Sequence, residues 1–85
     1  MPYIRQDDRE HFEAFDNVLL NTRITSAGEL NYLITLLMHA YLHQNGWNYA
    51  HMNDVIGAIE SAKLELYRRK IAPYEDKKID ENGDV

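Results

Sequence analysis

The sequence contains no cysteine. That excludes disulfide staples, thiol nucleophiles and thiolate metal sites. Two prolines and four glycines are spread through 85 residues, so there is no glycine-rich phosphate loop and no proline-rich linker. Cations are the minority charge: nine Lys and Arg stand against fourteen Asp and Glu, a net charge of −5. Nucleic-acid affinity comes mainly from Lys and Arg neutralising phosphates, so this balance argues against DNA or RNA as a partner. No apolar run reaches the roughly eighteen residues of a membrane span, and no membrane association is expected. The opening Met1-Pro2-Tyr3-Ile4-Arg5-Gln6-Asp7-Asp8 lacks the apolar core of a signal peptide, which makes the cytoplasm the expected compartment.

What is present reads as all-α. Asp7 and Asp8 precede Phe12, Phe15, Val18 and Leu19 at helical spacing, so a first helix is expected over about 8–21. Ser26 and Glu29 have the spacing of a capping box. Asn45-Gly46 supplies a left-handed stop, giving a second helix over about 27–44. Met52, Val55, Ile56, Ile59, Ala62, Leu66 and Ile71 mark a third over about 49–72, which Pro73 should end. The residues after it, 73–85, form a charged tail. They are either solvated, with Asn82-Gly83 as a turn signal, or anchored back through Tyr74 and Ile79. The expected fold is a single three-helix domain, 1–85, with a long central helical hairpin.

A domain this small usually needs a disulfide, a metal or a partner to be stable, and without cysteine self-association becomes the default expectation. The second helix points the same way. Leu30, Leu33, Ile34, Leu37 and Tyr41 form its stripe, but Tyr32, Leu36, Met38 and Leu42 spread apolar surface around the rest. Two neighbours in a three-helix domain cannot cover such a helix, so a homo-oligomer is expected. Gly57 inside the third helix, with Ala58, Ser61 and Ala62 nearby, is expected to allow close helix packing, since a mid-helix glycine otherwise costs about 1 kcal/mol.

Catalytic and metal signals are thin. Ser26 reads as a cap and Ser61 lies inside a helix, so no nucleophile and base pair up. His39 and His43 share a helix face but lack the intervening glutamate of a zinc-protease motif. No catalytic residue, cofactor or metal is therefore assigned. The one basic cluster, Arg68-Arg69-Lys70, is flanked by Tyr67 and Tyr74. Cations suit a helix C-terminus for structural reasons alone. Alternatively, Arg68 and Arg69 hold phosphates while Tyr67 and Tyr74 stack on a planar base, with the side chains of Asn31, Tyr32 and Asn53 as further polar contacts.

The blocks Gly28-Glu29-Leu30-Asn31-Tyr32, Asn53 to Glu60, Tyr67-Arg68-Arg69, Ala72 to Asp76 and Asn82-Gly83-Asp84-Val85 resemble those of a family of small phage and prophage proteins, over nearly the whole chain. The resemblance implies a phage setting. By analogy of size and setting, it also suggests a small anti-defence protein that sequesters phosphorylated, cyclic immune nucleotides in pockets between subunits. The competing expectation is a module that binds a host or phage protein through the second helix. A small phosphodiesterase using Glu65 or His51 as general acid is a third.

Overall fold

The structure is a computed structural model and describes residues 3–85. All regular structure among those residues is helical. The chain divides into two compact units, one up to Leu37 and one from Met38 to Val85.

The first unit opens with a 3-10 helix, Gln6–Phe12, followed by α1, Glu13–Leu20. The expected first helix is present, but its first half is wound more tightly than the periodicity indicated. Arg5 provides no side-chain cap, and the opening turn closes through the Asp8 N–H donating to the Arg5 carbonyl at 2.9 Å. Phe12, at φ −105° and ψ 10°, then resets the backbone before α geometry begins. Without a cap the costly first α-turn is not nucleated at Asp8, and the shorter-range bonds of a 3-10 turn take its place. After α1 the Asn21 side chain and the Thr22 hydroxyl donate back to the carbonyls of Asn17 and Val18, at 2.8 and 2.6 Å, and close the last turn.

The helix α2, Ala27–Asn45, starts in this unit and ends in the second. Its capping box is real but displaced by one residue. The Glu29 N–H donates to Ser26 Oγ at 3.1 Å, whereas the Glu29 carboxylate accepts from the Thr25 N–H at 2.9 Å. Gly46 ends the helix at φ +117°, its N–H donating to the Leu42 carbonyl at 2.7 Å, so the left-handed stop lies where the sequence put it.

In the second unit, Asn48 caps α3, Tyr49–Leu66, by accepting from the His51 N–H at 2.8 Å. Pro73 does not end the third helix. The chain passes through a π-helical turn, Tyr67–Ile71, directly into α4, Ala72–Asn82. The Ala72 N–H donates to the Tyr67 carbonyl, five residues back. Pro73 cannot donate to the Arg69 carbonyl and its ring would crowd that oxygen in a regular α-helix. The wider π turn absorbs this conflict one residue earlier, so the helix bends its hydrogen-bond pattern instead of stopping. Most of the segment read as a charged tail is therefore helical, and Asn82-Gly83 is its C-terminal stop. Gly83 lies at φ +84° and its N–H reaches the Ile79 carbonyl at 2.7 Å.

The interior is very small. Leu42 and Val55 are the buried apolar side chains, at 7% and 8% exposure. Met52, Ile56, Ile59, Leu66 and Ile71, on the apolar side of the expected third helix, are exposed, and so are Leu30, Tyr32, Leu36 and Leu37 on α2. Gly57 also departs from expectation, since a Cβ built there meets nothing within 4 Å. Periodicity marks which face of a helix is apolar, but whether the same chain covers that face depends on the length and direction of the other helices.

Candidate functional site

Two clusters in the second unit combine polar and aromatic side chains. The first is the corner between α2 and α3. Tyr41 donates its hydroxyl to Asp54 Oδ2 at 3.0 Å, and its ring meets His51 edge-on at 6.0 Å between centroids. His51 Nδ1 lies 3.0 Å from the Gly46 carbonyl oxygen and 3.0 Å from Asn48 Nδ2. Beside them His39 and Trp47 are tilted against each other at 5.6 Å. The hydrogen bond to Asp54, then desolvation and the negative charge of that carboxylate, hold the Tyr41 phenol above its usual pKa. An activated tyrosine nucleophile or base would need the opposite shift. With the His51 ring committed to the loop backbone and cap, this cluster is a lock on the corner.

Sequence reasoning gave Tyr41 only a place on an apolar stripe and did not single out Asp54. A signal was available: once Gly46 ends one helix and Asn48 caps the next, Tyr41 and Asp54 stand almost equally far from the turn on its two sides. Two helices leaving a three-residue corner bring such positions together.

The second cluster is the basic turn. Tyr67, Arg68, Arg69 and Tyr74, assigned as ligand contacts, fall on one continuous stretch formed by the π turn and the start of α4. Three of the four are already engaged with side chains of the second unit. The Tyr67 phenol is held above its usual pKa by hydrogen bonding to Glu75, by that carboxylate's charge and by smaller contributions from desolvation and Asp76. Arg69 Nη1 donates to Glu65 Oε1 at 3.1 Å. The ammonium of Lys78 lies 5.5 Å from the centre of the Tyr74 ring, within range of a cation–π contact. Arg68 and Lys70 have no ion-pair partner among the described residues.

The other assigned residues are not brought to this turn within the unit. Asn53 is fourteen residues before Tyr67 on the same helix, or about 21 Å at 1.5 Å per residue. Asn31 and Tyr32 belong to the first unit, where the Asn31 carbonyl accepts from the Thr35 hydroxyl at 2.9 Å and Tyr32 is exposed. An open recess of about 820 Å³ also lies in the first unit, lined in part by Tyr3, Asp7, His11 and Phe12. None of the assigned residues lines it. No group of three potential metal ligands occurs among the described residues, and no helix there is long and apolar enough to cross a membrane.

These features define an all-helical protein with a locked corner, a π turn and little interior of its own. The model of one family, a domain of unknown function (DUF6899), matches residues 1–85, and the protein belongs to that family. No curated protein and no solved structure matches the chain.

Proposed function

We propose that the protein is the subunit of a homo-oligomeric binding module, whose function lies in association and not in bond chemistry. The observation that carries this reading is the missing interior. Among the described residues Leu42 and Val55 are the buried apolar side chains, whereas every helix carries exposed ones, Ile56 at 67% and Tyr32 at 62% among them, and at about 25 cal/mol per Å² of apolar surface this is a large unused driving force. Other copies with the same deficit are an available means of covering it. Sedimentation or light scattering of the purified protein tests the reading directly. A mass well above 10.0 kDa at micromolar concentration is expected, and a monodisperse monomer refutes it.

The π turn supports a second reading, in which the module sequesters a phosphorylated nucleotide as an anti-defence protein of phage type. Single π turns within α-helices are frequent at functional sites. This one presents Arg68 and Lys70 without ion-pair partners, between Tyr67 and Tyr74. Glu75 and Asp76 oppose an anion on part of this surface, so Arg68 is the leading contact. Calorimetry against cyclic nucleotides and ADP-ribose derivatives is expected to yield a binder that Arg68→Ala weakens by roughly 10- to 150-fold, the loss of one charge-assisted contact. A panel without a binder leaves the association module, open to a host or phage protein on the apolar face of α2, as the surviving reading.

A further inference from the structure

The corner between α2 and α3 holds one titratable ring between a hydrogen-bond donor and an acceptor. His51 is half-buried there, and its Nδ1 stands 3.0 Å from Asn48 Nδ2 and 3.0 Å from the Gly46 carbonyl oxygen. A ring nitrogen either accepts or donates, so the two neighbours are served by different protonation states. The cap decides which of them the neutral ring serves. Asn48 Oδ1 is already taken by the His51 N–H at 2.8 Å, so the amide turns its nitrogen to the ring and Nδ1 accepts from it. The neutral imidazole then carries its hydrogen on Nε2. That leaves the Gly46 carbonyl oxygen facing a lone pair, with no donor from the ring. A Cβ built on Gly46 would lie 3.6 Å from both His51 Nδ1 and Asn48 Nδ2, so ring, amide and glycine backbone share one small space over the turn.

We infer that His51 is a proton-operated switch on the N-terminal cap of α3. A proton added at Nδ1 turns that nitrogen into a donor. It gives the Gly46 carbonyl a charge-assisted hydrogen bond and sets one N–H against another at Asn48. Turning the Asn48 amide over would present Oδ1 to the ring but would take it from the His51 N–H, so the cap is weakened either way. The charge also arrives in the first turn of α3, three residues after the cap, where the unpaired N–H groups of a helix start disfavour a cation. The corner stays closed through Gly46 while the first turn of α3 is released. The other titratable groups facing the ring are Tyr41 of α2 and Asp54 of α3. They are hydrogen-bonded to each other at 3.0 Å and Tyr41 meets His51 edge-on, so neither offers Nδ1 another partner. His39 of α2 is turned to Trp47. The switch lies within one chain and does not depend on oligomeric state.

The test combines nitrogen NMR of the ring with amide hydrogen exchange, from about pH 8 to about pH 5, the range in which histidine side chains take up their proton. At the upper end His51 should show the Nε2–H tautomer. On acidification the exchange protection of the His51 N–H, corrected for the intrinsic effect of pH, should fall by roughly fivefold or more, the equivalent of losing one cap, while protection in the middle of α3 is kept. In Asn48→Asp a carboxylate accepts from the His51 N–H and from Nδ1–H at once, so protection should hold or rise over the same range. His51→Gln keeps a polar side chain that does not titrate, and its first turn should respond to pH no more than the middle of the helix does. An Nδ1–H tautomer in the neutral ring overturns the switch. So does a His51 N–H whose protection is unchanged by pH, or whose loss of protection is the same in the parent, Asn48→Asp and the equivalent position of His51→Gln.

Discussion

Replacing Gly57 by alanine reverses sign between the pattern of the sequence and the structure. The small residues around Gly57 suggest a close helix contact, in which any added side chain would cost stability. In the structure a Cβ at Gly57 meets no atom within 4 Å, and the residue lies in the middle of α3. Alanine adds no clash there and removes much of the backbone entropy that glycine loses on entering a helix, a gain of about 0.5 to 1 kcal/mol. For a chain of this size that raises Tm by roughly 2 to 8 °C, readable by calorimetry or by the helical circular dichroism signal. Gly57→Leu is informative beside it. Leucine has nearly the helix propensity of alanine and its longer side chain would run into solvent, so the variant should melt at or above the parent. If both variants melt lower, and leucine lower than alanine, a neighbour packs on Gly57 in solution and this face of α3 belongs to an interface.

Leu42→Ala should destabilise the second unit by about 2 to 4 kcal/mol, and Val55→Ala by somewhat less, because these are its buried side chains; chemical denaturation measures both, and losses below about 0.5 kcal/mol would mean the corner is not packed as described. Gly46→Ala should cost about 1 kcal/mol or more through strain alone, since φ is +117°, and an unchanged melting temperature would refute a left-handed stop. Tyr41→Phe removes the hydrogen bond to Asp54. Because that bond raises the phenol's pKa in the folded state, its contribution is whole below the unfolded value of about 10 and is lost as pH climbs through the folded value. The parent should therefore melt above the variant at pH 8, with the gap narrowing as pH rises past the ordinary phenol value of about 10, and a gap that does not change with pH would sink the assignment.

Local signals in this chain were legible where one residue type decides the backbone. Gly46 ends α2 where the Asn45-Gly46 pair places a left-handed stop, because that conformation is a chemical property of glycine. Pro73 misled for a related reason. A proline forbids one hydrogen bond, and ending the helix is only one way to forgo it; the π turn ahead of it is another, and nothing in the dipeptide Ala72-Pro73 selects between them. The charged turn Arg68-Arg69-Lys70 looked like a ligand site because linear sequence shows its cations side by side. Winding them around a helix disperses them and gives Arg69 to Glu65.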